Sequence, residues 1–262
     1  MKDEGSEKVA LVIVTYKEIL TFAEIYSLEN CMDVLGRYPI VFVTGEGMGL
    51  AQEVRRICDV RGAILVTFPA TYFSSIDGYN RLLLNKEFFV RFASFKFILI
   101  YQLDCLVFSD ELENWCAKGF DYIGPPWPAL YTKNILDAPG ASMPRRLLRK
   151  FGITSTGRVG NGGFSLRKVK PAINALTILR AGAERWNKNE DIFWSYYVNS
   201  YLPWFRVADY RSALSFGFEI NPEQCFAENG NRLPFGCHKW NWHGHSDFWR
   251  RMLKIPDSVD DK

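Results

Sequence analysis

Residues 9–15 form an unbroken apolar, β-branched run with no polar alternation. Such a run predicts a strand covered on both faces, as in a parallel sheet. A helix is expected over about 17–35, ending near Gly36, then a second strand from Ile40 to Thr44. Gly45, Gly47 and Gly49 mark the turn after it. A helix over 50–60, a strand over 63–68 and a helix over 80–92 follow. A fourth strand over 95–101 runs into Gln102, Leu103 and Asp104. Strands alternating with helices predict an α/β fold with a mostly parallel central sheet flanked by helices. In such sheets ligands sit beyond the carboxyl ends of the strands. Thr15, Tyr16, Thr44, Gly45 and Asp104 all fall there.

The second half is less regular. Pro125, Pro126 and Pro128 exclude helix or central strand around Trp127, because proline lacks the amide donor and fixes φ. The stretch 129–158 is polar, basic and marked by Gly and Pro, which predicts a mobile loop or lid. Order resumes at the glycines 160, 162 and 163, with helices expected over 169–181 and 189–197. The whole chain reads as one domain, with a regular half at 9–108 and a less regular half at 120–245.

Composition changes this picture in three ways. Aromatic residues make up 15% of the 262, with 8 Trp, 12 Tyr and 20 Phe, more than a core requires and suited to stacking on bases or sugars. Net charge is +3, too weak to argue for a nucleic-acid partner. The 6 Cys form no CxxC pair, no run approaches the ~18 apolar residues of a membrane span, and the N-terminus is polar. The expectation is a cytoplasmic protein with reduced thiols. Basic stretches at 144–150 and 249–254 suit a solvated face or, more sharply, peripheral contact with anionic lipid at the inner membrane face.

Four features carry candidate chemistry. Asp104 closes an apolar strand, and its hard carboxylate suits Mg²⁺ or Mn²⁺ bridging diphosphate oxygens. The bland alternative is a cap for a helix near 109–111, where Ser109 is better placed. Gly162 and Gly163 allow positive φ and close backbone approach to a ligand, or serve an ordinary turn. Glu190 and Asp191 open a helix, where acids are common for capping alone, yet sugar transfer needs one carboxylate to take the acceptor's proton. Residues 237–245 hold Cys237, His238, His243 and His245. Their spacing is poor for a closed zinc site, and one His joining Asp104 on a shared metal is the better reading.

In this order the features resemble nucleotide-sugar glycosyltransferases of the GT-A fold. Within that group the chain is similar to bacterial polysaccharide-type transferases of a family long labelled as of unknown function. The resemblance runs over about 9–240. It implies a nucleotide-sugar donor, by family habit UDP-linked, and a glycan or lipid-linked acceptor. It places Thr15 and Tyr16 against the base, Gly162 and Gly163 along the sugar pocket, and Asp104 with His238 on a divalent metal, Mn²⁺ or Mg²⁺. Asp191 matches the base of inverting members, and Glu190 a sugar-binding acid. Where these enzymes carry Asp-x-Asp, this chain has Gln102 and Asp104, so one acid of the motif is neutral. The rival readings are a nucleotidyltransferase or sugar-nucleotide hydrolase on the same fold, and a non-catalytic carbohydrate-binding protein.

Overall fold

Alternation within the apolar runs sends side chains to two sides of one sheet. Val9, Leu11 and Ile13 of β1 (Glu7–Val14) enter one buried cluster, and Ala10, Val12 and Val14 enter another. In β2 (Ile40–Gly45), Ile40 and Phe42 part from Val41 and Val43 in the same way. A strand covered above and below has no polar face, which is why these segments read as continuous runs.

The computed structural model describes residues 7–127 and 159–254. It shows a six-stranded sheet of order β3-β2-β1-β4-β7-β6. β3 (Ile64–Phe68), β2, β1 and β4 (Phe95–Tyr101) run parallel, while β7 (Phe164–Lys168) pairs antiparallel with both β4 and β6 (Tyr122–Ile123). The expected α/β architecture is therefore present, with antiparallel pairing confined to β7.

Helix boundaries differ from the sequence pattern for local reasons. α1 spans Phe22–Leu35 and starts after residue 17, because Thr21 and Glu24 form a reciprocal capping box. The released residues 17–21 stay at the carboxyl end of β1. The helix expected over 50–60 is α2 (Gln52–Arg61), and the one expected over 80–92 is two: α3 (Ile76–Leu83) and α4 (Lys86–Val90). Asn85 separates them by accepting from the Glu87 amide at 2.9 Å, a side-chain cap. The helix expected near 109–111 begins at Leu112, with no side-chain cap, so neither Ser109 nor Asp104 serves it. The segment from Glu190 begins as α-helix and widens to a π-turn over Phe193–Val198, where Phe193, Trp194 and Val198 are all buried. The 129–158 loop and the basic stretch 144–150 lie outside the described residues. In the other basic stretch, Trp249 is buried, so its exposed cations sit on a helix that packs inward.

The sequence pattern missed a second, three-stranded sheet of order β5-β9-β8: β5 (Cys105–Val107), β9 (Gly236–His238) and β8 (Gly217–Phe218). Strands of two or three residues are too short to show a period. β5 leaves β4 through the turn at 102–104, and its Cys105 lies opposite His238 in register. Asn30 from α1 pairs with both backbone groups of Val107, at 3.0 and 2.8 Å, as a strand neighbour would. Trp240, fully buried, donates its indole N–H to Ser27 Oγ at 2.8 Å and pins the late chain to α1. Ser27→Ala leaves that N–H buried without an acceptor and is expected to cost about 1–3 kcal/mol, read as a lowered urea midpoint.

Candidate active site

The carboxyl ends of β1 and β4, the start of β7 and the end of β9 enclose a cavity of about 550 Å³. Asp104, Gly162, Gly163, Glu190, Asp191 and His238 all line it, although sequence separates them by more than a hundred residues. A second cavity of about 220 Å³ adjoins it and shares Tyr16, Gln102, Asp104 and Trp242. Thr15 and Tyr16 face this second space. The Thr15 hydroxyl is buried with no hydrogen-bond partner among the described residues. His243 and His245 line neither cavity; His245 stands at the start of the last helix. The three histidines therefore do not converge.

His238 sits at the centre. Its Nε2 is 3.1 Å from both Gln102 Oε1 and Asp104 Oδ1. One N–H cannot point at two acceptors, and Asp104 Oδ1 is left buried without an aligned donor. On the other side, Nδ1 is 3.2 Å from Glu219 Oε1 and 3.0 Å from Asn161 Nδ2. Asn161 is fixed in orientation because its Oδ1 accepts from the amides of Gly163 and Phe164, each at 2.7 Å.

The charges are strongly coupled. Burial works against the imidazolium, but the negative charge of Asp104 and the contact with Glu219 outweigh it and raise His238 to about 9. Burial also opposes ionisation of Glu219, yet His238 and Lys239 bring it down to about 2. Asp104 is held below the ordinary carboxylate range against its own desolvation, chiefly by His238.

Asp104 and His238 fit a divalent cation. The orphaned Asp104 Oδ1 is an open ligand position beside Nε2, and Glu219 on Nδ1 supplies the carboxylate that orients a metal-bound imidazole. Cys105 lies within the same cluster of ligand atoms, all inside 4.8 Å. Its thiol, however, faces the Gly163 carbonyl at 3.4 Å and is pushed well above its usual pKa by burial, so it is no thiolate. An oxygen and nitrogen donor set suits Mn²⁺ or Mg²⁺ better than a soft ion.

The glycines work by close approach. A Cβ on Gly163 would stand 2.2 Å from His238 Nε2 and 2.5 Å from Gln102 Oε1, and one on Gly162 2.7 Å from Glu190 Oε1. Neither takes a positive φ. The close neighbours are side chains of the site itself, and the left-handed backbone is absent at both glycines.

Glu190 is fully buried and bound by both oxygens to Arg167, at 2.8 and 2.9 Å. Its amide donates to Asn80 Oδ1, and the Tyr79 hydroxyl donates to the Gly162 carbonyl at 2.7 Å. Asp191 next to it remains partly open to the cavity and has no cation partner among the described residues. Burial, then the charges of Glu190 and Glu219, raise its pKa to about 7.

Glu219, Arg167 and Lys239 were not singled out from sequence. Signals existed for the first two: Glu219 follows the apolar run 216–218 as Asp104 follows β4, and Arg167 is a charge inside a buried strand, which demands a partner.

The fold has solved relatives. The galactosyltransferase LgtC, determined with donor and acceptor sugar analogues, superposes with a TM-score of 0.54 at 14% identity, over 95% of this chain and 98% of that one. The WbbM bifunctional glycosyltransferase, in its apo structure, superposes at a TM-score of 0.52 and 13% identity, over 91% of this chain and 46% of that one. The fold is that of GT-A-type glycosyltransferases. The family model described as "Protein of unknown function (DUF5672)" matches residues 63–238, and the chain belongs to that family. No curated protein sequence matches it.

A carboxyl whose pKa rises on folding stabilises the fold below its unfolded pKa of about 3.9, and that contribution is lost as pH climbs through 7. Asp191→Asn is therefore expected to be more stable than wild type. The gain should grow between about pH 5 and 7 and level off above, in urea midpoints taken across that range.

Proposed function

We propose that this protein is a glycosyltransferase that moves a sugar from a nucleoside-diphosphate donor, by preference a UDP-sugar, to a hydroxyl of a glycan or lipid-linked acceptor. The observation that carries the reading is the meeting of a candidate cation site (Asp104, His238) and a carboxyl near neutrality, Asp191, without a cation partner among the described residues, in one cavity. Its volume of about 550 Å³ lies in the range of small-molecule sites.

In this reading Thr15 and Tyr16 take the base in the adjoining cavity, the Thr15 hydroxyl gaining the partner it lacks. Asp104 and His238 would hold Mn²⁺ or Mg²⁺, and a divalent ion there would supply charge to offset the negative charge growing on the leaving diphosphate. Glu219 keeps the Nδ1 proton of His238, which would leave Nε2 as the ligand atom. Gly162 and Gly163 leave room for the sugar. Arg167 holds Glu190 in the cavity wall beside it; a sugar hydroxyl meeting that acid finds a carboxylate already bound on the far side.

Asp191 takes the proton of the acceptor hydroxyl as that oxygen attacks the anomeric carbon. Its pKa of about 7 suits a general base at neutral pH. One base of this kind supports inversion at the anomeric centre. Biosynthesis of a polysaccharide or glycoconjugate in the cytoplasm, at or near the inner membrane face, is the setting this chemistry fits. Among the described residues no helix is long and apolar enough to cross a membrane.

Thermal-shift measurements with UDP-, GDP-, dTDP- and CMP-sugars, with and without Mn²⁺, test the reading, since any ligand preferring the folded state must raise its stability. At least one nucleotide sugar is expected to raise the melting temperature, more so with Mn²⁺; no shift from any of them would overturn the proposal. Asp104→Ala is expected to remove the Mn²⁺ increment. Asp191→Asn is expected to keep donor binding and lose about 10²–10⁴-fold in transfer. The anomeric configuration of the product, read by NMR, should be opposite to that of the donor.

A further inference from the structure

The helix that carries Glu190 and Asp191 is not capped by its own sequence. Asn189, the residue before it, makes no side-chain bond to the first turn. Amides at this end of a helix have no partner within it, so an acceptor has to come from elsewhere. The first of them, on Glu190, donates to Asn80 Oδ1 at 3.0 Å, a side chain 110 positions away. One residue on, Asp191 Oδ1 accepts from the Ile192 amide at 2.8 Å. The carboxyl therefore sits between two backbone contacts, and the first of these belongs to α3.

Asn80 stands on a firmly placed element. Ser75 caps α3, its Oγ accepting from the Gly78 amide at 3.0 Å, and Leu82 and Leu83 are buried in the core. Gly78 packs hard against the preceding turn: a Cβ there would stand 2.6 Å from the Thr71 carbonyl oxygen. The neighbouring Tyr79 hydroxyl holds the Gly162 carbonyl. Asparagine is a weak helix former in an interior position, and among the described residues the Asn80 side chain bonds nothing within α3. Its one side-chain contact is the helix of Asp191.

The neutrality of this acceptor matters as well. Glu190 and Glu219 already oppose ionisation of Asp191, while Arg167 favours it; across the cavity stand Asp104, His238 and Lys239. An aspartate at position 80 would accept the same hydrogen bond but add a carboxylate beside the first two. A carboxamide oxygen satisfies the amide with no charge.

We propose that Asn80 is a positioning residue for Asp191: it fixes the start of the helix from outside and so aims the carboxyl into the cavity, leaving the charge around it unchanged. The inference rests on the reading of Asp191 as the base and adds the side chain that sets its place.

Two variants separate geometry from charge. Asn80→Ala removes the acceptor, and alanine keeps α3 helical; Asn80→Asp keeps an acceptor oxygen and adds a charge. Three quantities are measured: nucleotide release from UDP-, GDP-, dTDP- and CMP-sugars with water as acceptor, donor affinity by isothermal titration, and the Asp191 carboxyl titration by ¹³C NMR, assigned by its loss in Asp191→Asn. In the first, the bond from the anomeric carbon to the phosphate oxygen breaks, water oxygen takes its place, and the water proton goes to Asp191. Asn80→Ala is expected to lower kcat about 10–100-fold, as for a reacting group displaced by up to ~1 Å, with donor Kd unchanged. Its Asp191 midpoint should fall toward the ordinary carboxylate range as water reaches the loosened helix start. A nearby like charge disfavours ionisation, so Asn80→Asp should raise both the NMR midpoint and the acid limb of the kcat profile by about one unit. Above that limb it should recover most of kcat.

The inference falls if Asn80→Ala matches wild type in kcat and in the Asp191 titration. It also falls if Asn80→Asp is as slow as Asn80→Ala at every pH, because the side chain would then serve packing alone. Wild type that releases nucleotide from none of the sugars, while the Asp191 midpoint moves as expected in both variants, overturns the glycosyltransferase reading and leaves the hold of Asn80 on Asp191 in place.

Discussion

One imidazole joins the two sheets of this protein. His238 ends β9 in the small sheet, and its ring lies against Asp104 and Gln102, which follow β4 of the large one. Glu219, just after β8, grips the opposite ring nitrogen, and Asn161 ahead of β7 is locked beside it by two backbone amides. Four chain segments distant in sequence, already paired through their backbones, converge on the polar atoms of a single buried ring. A buried ring of this kind is costly unless every partner is in place. That cost is why Gly163 must be glycine: no Cβ fits between the ring and the strand behind it.

A second polar pair sets the other wall. Arg167 and Glu190 are both almost wholly buried, and neither charge would be tolerable alone. Together they form a rigid, neutral unit between β7 and the helical segment that follows Asn189. Asp191 then occupies the next position without sharing that cation. Two adjacent acids thereby differ in surroundings: burial raises both, but at Glu190 the Arg167 charge opposes the rise, whereas at Asp191 the charges of Glu190 and Glu219 add to it. The widened π-turn directly after them changes the helical phase, so that Trp194 packs into the core while Asp191 keeps its opening to the cavity.

The cation site and the carboxyl are complementary in electrostatic terms. Asp104 and Glu219 concentrate negative charge where a metal ion is wanted, and Lys239 limits that charge from one side. The exposed aromatic faces of Tyr16 and Trp242 stand where the two cavities adjoin, and both suit a planar or sugar ring at the mouth. The likeness to solved glycosyltransferases, at identities near 14%, shows how little sequence such a frame requires.

The first four strands were legible in the sequence because each is buried on both faces and long enough to show it. Asp104 was legible for the same reason, as an acid where an apolar strand stops, and the pair Glu190 and Asp191 stood out as adjacent acids. What the sequence could not display was the company these residues keep. Glu219 follows a strand of two residues, Lys239 follows one of three, and neither carries a period that local reading can detect. Arg167 looked like one more cation until the fold buried it against Glu190. Short strands form only because longer elements bring them side by side, and a carboxyl acquires its pKa only from the groups packed around it. The sequence by itself determined the four parallel strands and put Asp104 beyond their carboxyl ends. Tertiary packing decided which side chains meet there, because desolvation and charge coupling act across space and leave no mark along the chain.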